Sequence, residues 1–120
     1  MRFLMFIKHA ESSRQTAPPK PLMNAMETFV GEGFRTGWLK ETGGLKSTSE
    51  SIRIRSRGGT LTVTDGPFAE TKEVVGGYAI VQVKSKEEAL DIARRFMELH
   101  RIHWPEFECE SEVREIEELS

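Results

Sequence analysis

Arg2 to Lys8 reads as a strand that is apolar on both faces, with Phe3, Met5 and Ile7 on one side and Leu4 and Phe6 on the other. A sheet with one wet face alternates apolar and polar positions, so a strand that is oily on both faces needs cover on both. Helices can cover one face; the sheet of a second subunit is the economical candidate for the other. A polar segment, Ala10 to Lys20, follows, and Pro18, Pro19 and Pro21 then set up a helix start. Leu22, Met26, Phe29, Val30 and Gly33 recur at helical spacing on one stripe, and Gly37 stands where a left-handed C-terminal cap is wanted.

Trp38 to Lys46 can form a second strand, interrupted at Gly43-Gly44 by a bulge or a close backbone approach. Ile52 and Ile54 alternate with Arg53 and Arg55, Gly58-Gly59 marks a tight turn, and Leu61 and Val63 alternate with Thr60, Thr62 and Thr64, which spells a two-stranded hairpin. Such a hairpin is marginal alone, so its four-residue apolar side is expected to lean on the main body. Gly76 to Lys84 is again largely apolar on both faces, Tyr78, Ile80 and Gln82 opposing Ala79, Val81 and Val83. Ser85-Lys86-Glu87-Glu88 is a capping box that opens a second helix, running to about His103 and stopped by Pro105. Phe107 to Glu117 closes the chain as a strand whose Phe107, Cys109 and Val113 point one way and whose Glu106, Glu108, Glu110 and Glu112 point the other.

The order strand, helix, strand, hairpin, strand, helix, strand is an α+β, ferredoxin-like βαββαβ unit with an inserted hairpin. With 120 residues and no linker, repeat or low-complexity tract, residues 1–120 are expected to form one domain. Seventeen Lys and Arg against 19 Asp and Glu leave a net charge of −2, which disfavours direct nucleic-acid binding or an anionic membrane. Single Cys109 cannot form an internal disulfide, and the longest apolar run, Phe3 to Ile7, is too short for a membrane span, so a cytoplasmic location is expected.

The densest chemistry follows the hairpin, at Asp65-Gly66-Pro67-Phe68-Ala69-Glu70-Thr71-Lys72-Glu73. Asp-Gly-Pro is a turn with a mechanism: Gly supplies unusual φ, Pro fixes its own φ, and Asp can bond the turn backbone. The motif is therefore either a structural corner or a corner that presents a carboxylate. With the following Gly76-Gly77-Tyr78, the leading Met1 to His9 and the helix Ser85 to His103, this string closely resembles the YCII-related family, specifically its DGPF-domain branch, almost end to end. The resemblance implies the same ferredoxin-like architecture and a homodimer in which two sheets pack face to face as an α+β barrel.

Continuing the buried stripe of the second helix from Ala89, Ala93 and Phe96 lands on His100 and then His103. These imidazoles are either hydrogen-bonded caps, kept protonated by the helix dipole, or a general acid/base pair at the mouth of a cleft; a metal site would need a third ligand that the sequence does not specify. Asp65, with Glu70 and Lys72, could complete such a site. The wider YCII-related group implies a His/Asp pair, carried here most directly by Asp65, with His9, His100 and His103 as the open choices for its partner. Lys8 and His9, at the end of the first strand, and Tyr78 are candidate substrate-binding groups, or else strand-end and packing residues. Trp38 and Trp104 read as packing anchors, and Arg53, Arg55 and Arg57 as a solvated basic line. Two functions follow. One is a cofactor-independent acid/base enzyme, lyase or dehydrohalogenase-like, acting on a small molecule. The other, implied by the resemblance, is a regulatory or binding module working with an extracytoplasmic-function sigma factor.

Overall fold

A computed structural model describes residues 1–12, 17–68 and 73–118. The elements run β1 (Arg2–Ala10), α1 (Lys20–Thr36), β2 (Leu39–Gly44), β3 (Ile52–Arg57), β4 (Thr60–Asp65), β5 (Glu73–Gln82), α2 (Lys86–His103) and β6 (Cys109–Glu115). Four strands form one antiparallel sheet in the order β2-β5-β1-β6, while β3 and β4 pair only with each other. This is the expected α+β, ferredoxin-like arrangement, with the two double-faced strands β1 and β5 at the centre.

The helices begin and end for identifiable reasons. Pro19 stands at the N-cap of α1 without a side-chain cap, and Pro21 lies in its first turn. Gly37, at φ 91°, closes that helix by donating its amide to the Gly33 carbonyl at 3.0 Å. A Cβ on Gly33 would stand 2.8 Å from Leu39 Cβ and from the Trp38 ring, so the glycine lets the chain fold back tightly into β2. At α2 the Ser85 hydroxyl accepts the Glu88 amide at 3.1 Å, and the Glu88 carboxylate accepts the Lys84 amide at 2.9 Å, one residue ahead of the usual reciprocal partner.

One face of the sheet packs against both helices. Phe3, Met5, Leu39, Val81 and Val83 from the strands meet Ala89, Ile92 and Ala93 of α2 in the core. Leu22 of α1 is fully buried, yet Met26, Phe29 and Val30 on the same stripe are only half-buried because they border a cavity. On the opposite face, Leu4, Phe6 and Ile80 sit half-buried in the pleat, flanked by Glu112, Arg114 and Glu41, and no layer of described residues covers them.

Several boundaries differ from the sequence expectation. β1 continues to Ala10, two residues further, which draws His9 into the ladder opposite Val74 and Cys109. β5 starts at Glu73, ahead of the Gly pair, and the register shifts between Ile7 and Lys8, across from the unpaired Gly76. In β2 the irregularity falls between Leu39 and Glu41, not at Gly43-Gly44, which stay in register with Tyr78 and Gly77. Gly43 is instead a close approach: a Cβ there would lie 3.2 Å from the Tyr78 ring. β6 begins only at Cys109, because Phe107 is held in the turn after α2, its amide bonded to the Trp104 carbonyl and its ring stacked on Trp104 at 4.2 Å.

The hairpin does not lean on the body with its apolar side. Ile52, Ile54, Leu61 and Val63 are each 65% to 69% exposed. Its other face pairs Arg53, Arg55 and Arg57 with Thr64, Thr62 and Thr60. The arm is fixed near its base, where the Gly66 amide bonds the Ser51 carbonyl at 2.8 Å and the Arg53 guanidinium lies 3.7 Å over the ring of buried Phe68. The described chain is accordingly spread out: its radius of gyration is 16.2 Å, against about 13.6 Å for a compact domain of this length.

Candidate functional site

A cavity of about 660 Å³ lies between the sheet and the helices, within the range of small-molecule sites. Strand β1 contributes Met5, Ile7 and His9; β2 and β5 contribute Leu39, Thr42, Ala79 and Val81; α1 contributes Met26, Phe29 and Val30; α2 and the following turn contribute Phe96, His100, Trp104 and Phe107. Among the described residues no Asp, Glu, Lys or Arg lines it. Seven phenylalanine, tyrosine and tryptophan residues do, including Phe29 against Trp38 at 5.3 Å and Trp104 stacked on Phe107.

Two histidines from different elements converge on this apolar wall. His9 is 5% and His100 8% exposed. His9 Nδ1 lies 2.8 Å from the Ala10 carbonyl oxygen, and His100 Nδ1 lies 3.1 Å from the Phe96 carbonyl oxygen, one turn back on α2. A carbonyl can only accept, so in each ring Nδ1 carries a proton, and in the neutral tautomer Nε2 is the nitrogen left to accept. Among the described residues the only fully sealed side-chain nitrogen or oxygen without a partner is Glu11 Oε2, so neither Nε2 is walled off. Gly76 makes room for the His9 ring: a Cβ there would stand 2.6 Å from Nε2. Phe107 and Phe96 complete the ring contacts, at 5.4 Å from His9 and edge-on at 4.8 Å from His100.

Burial pushes the His100 imidazole below its ordinary range, and the bond to the Phe96 carbonyl offsets this only in part. Its position near the C-terminus of α2 therefore does not make it the protonated cap that the dipole alone would favour; removal from water dominates.

The other sequence candidates are dispersed. His103, two positions into the last turn after Arg101, is half-buried and off the cavity wall. Lys8 projects from the opposite face of the sheet, where its ammonium donates to Glu112 at 3.1 Å and lies 3.5 Å from Glu110 and 3.7 Å from Glu73; these carboxylates, Glu112 foremost, raise its pKa. Tyr78 borders the cavity, but its hydroxyl donates to Glu41, which raises the phenol above its ordinary value. Asp65 is exposed at the base of the arm, opposite Ile52, and does not line the cavity. Glu70 and Lys72 lie outside the described residues.

The Asp-Gly-Pro corner has a structural explanation. Gly66 does not adopt a positive φ; it is required because a Cβ would stand 1.7 Å from the Thr48 carbonyl oxygen. Thr48 in turn donates its hydroxyl to Glu11, and Phe68 is buried beneath Arg53. The corner thus joins the arm to the end of β1. Thr42, Gly76 and the aromatic lining were not legible as site residues. For Gly76 the available signal was a Gly pair inside a double-faced apolar strand, where glycine marks a bulge or a close approach.

The YCII-related domain model matches residues 1–98, from β1 through most of α2. The chain belongs to the YCII-related family. An uncharacterized protein of Rhizobium meliloti (strain 1021) is 41% identical over 73 residues, which is 61% of this chain and 59% of that relative's length. His9 and Gly76 fall inside the span of the YCII-related match, whereas His100, Trp104, Phe107 and β6 follow it. No helix of the described YCII-related chain is long and apolar enough to cross a membrane.

Proposed function

We propose that this YCII-related domain binds a small, largely apolar molecule between its helices and its sheet and moves a proton on it, with no cofactor. A lyase or dehydrohalogenase-like elimination is the reaction class. The observation that carries this reading is the pair of buried histidines, His9 and His100, that line one apolar cavity with Nδ1 of each bound to a backbone carbonyl. A general base must be neutral at the working pH and within reach of the proton; low polarity around His100 meets the first condition. His9, held by Gly76 and Phe107, is the second proton-handling group. On this reading Asp65 serves the corner, and His103 is peripheral. Glu70 and Lys72 remain candidates from the motif alone.

The test begins with a thermal-shift screen, because a ligand that prefers the native state raises the melting point by mass action. Each hit is then incubated in D₂O and followed by NMR for deuterium uptake or elimination. His9→Gln and His100→Gln should each slow that exchange by roughly 10²- to 10⁴-fold with the fold retained. Undiminished exchange in both variants would remove the acid/base reading.

The same chain is proposed to form a cytoplasmic homodimer through the open sheet face, where Leu4, Phe6 and Ile80 lack a covering layer of described residues. Light scattering should give twice the chain mass, and Phe6→Glu should halve it. The binding-module alternative, with a sigma factor as partner, is favoured by one observation: the aliphatic face of the arm lies open. Titration with a purified extracytoplasmic-function sigma factor, comparing wild type with Ile54→Asp, distinguishes it.

A further inference from the structure

We infer that the cavity is made for an uncharged aromatic molecule bearing a hydroxyl or N–H group, held by donation to an imidazole Nε2. The inference rests on the proposed role of the cavity as a binding site, and adds the chemical class of its occupant. Three observations converge on that class.

The first is the shape and character of the wall. Phe29 and Phe96 line it from the two helices, and Trp38 and Trp104 from just before β2 and just after α2, with Phe29 tilted against both Trp38 and Phe96. Flat aromatic guests gain offset and edge contacts with such rings beyond the area they bury. A volume of about 660 Å³ admits more than one fused ring.

The second is the direction of the polar groups. Both Nδ1 atoms are committed to carbonyl oxygens, at 2.8 Å and 3.1 Å, so in the neutral ring Nε2 is the one nitrogen each of these cavity-lining imidazoles has left to offer a guest, as an acceptor. An acceptor that enters a site without a donor opposite it leaves a lone pair desolvated and unpaired, at about 1–3 kcal/mol. A guest with a donor relieves this.

The third is charge. Receiving a carboxylate would require an imidazole to become cationic, and burial opposes that at His100. An ionised carboxyl group brought into so apolar a wall would be unpaired among the described residues. The cavity therefore ranks a neutral donor above both a neutral guest without a donor and an anion of the same skeleton.

The experiment is calorimetric titration of the full chain at pH 7.5 with three probes: 2-naphthol, 2-methoxynaphthalene and 2-naphthoate. We expect 2-naphthol to bind at least tenfold more tightly than either of the others. Equal affinity for 2-methoxynaphthalene would overturn the donor requirement, and tightest binding of 2-naphthoate would overturn the preference for an uncharged guest; in both cases the cavity would still be a binding site. Failure of all three probes to bind would defeat the cavity reading itself. His100→Phe, which keeps an aromatic ring and removes the acceptor, should abolish the advantage of 2-naphthol while preserving binding of 2-methoxynaphthalene; an unchanged advantage in both His100→Phe and His9→Phe would overturn the assignment to the imidazoles. If a variant fails to fold, the ranking of the three probes by the wild-type chain decides alone.

Discussion

Val81 and Ile54 are both branched aliphatic residues in antiparallel strands, yet Val81 is fully buried and Ile54 is 67% exposed. The body of the protein has a helical layer over its sheet, with α1 and α2 packed against Phe3, Met5 and Val81. The arm has the same kind of apolar stripe and no layer of described residues over it. Alternation says which residues share a face; a second layer decides whether that face leaves water. The body also shows that cover can be incomplete, since Met26, Phe29 and Val30 are only half-buried and border the cavity.

The comparison is broken most forcefully in the body. Phe3→Ala removes a nearly fully buried ring at the centre of the core and should cost about 3–5 kcal/mol, read as a fall in the urea midpoint. A loss below about 1 kcal/mol would mean the core can collapse around the gap. Gly66→Ala acts at the joint. Its Cβ cannot coexist with the Thr48 carbonyl, so the corner must shift, at a cost of about 1–3 kcal/mol. Hydrogen exchange should quicken in β3 and β4 while the β1–β5 ladder stays protected; uniform loosening would show the arm and body to be one cooperative unit.

A smaller effect sharpens the polar contrast within the body. The folded-state pKa of His100 lies below its ordinary value, so the unfolded chain binds the proton more readily. This contribution to stability is complete above about pH 6.5, declines as the pH falls from there to the lowered folded pKa, and is constant below it. Urea midpoints at pH 8 and pH 5 should therefore differ in wild type, and the difference should shrink in His100→Phe. The smallest effect belongs to the arm. Ile54→Ala, at so exposed a site, should change stability by no more than about 0.5 kcal/mol. A core-like loss that grows with protein concentration would show that a second copy covers this face in solution.

Much of this fold was legible from the chain. The capping box at Ser85 to Glu88, the Gly37 cap and the Gly58-Gly59 turn are local signals whose partners lie within a few residues, and each stands where the pattern placed it. The candidate site was legible in pieces. His100 followed from the helical stripe, and His9 from its place at the end of β1. Their sharing one cavity did not follow, because 91 positions separate them and the placement of His9 depends on β1 running on to Ala10 past a bulge opposite Gly76. Asp65 drew attention through its motif, but a motif does not tell a corner that anchors a chain from one that presents a carboxylate. Phe68 under Arg53, and Gly66 against Thr48, show that this corner anchors the arm, whatever its carboxylate does.

By itself, the sequence of this YCII-related chain determined the order of its elements, which residues share each face, and where the helices start and stop, because those depend on backbone sterics and on hydrogen bonds between near neighbours. Tertiary structure alone decided that the helices stand off the sheet far enough to leave a cavity, that two distant imidazoles open onto it, and that the arm's aliphatic face is left outside. Those outcomes depend on how whole layers meet, and the spacing between layers is a property of all the packed side chains together, written in no single stretch of the chain.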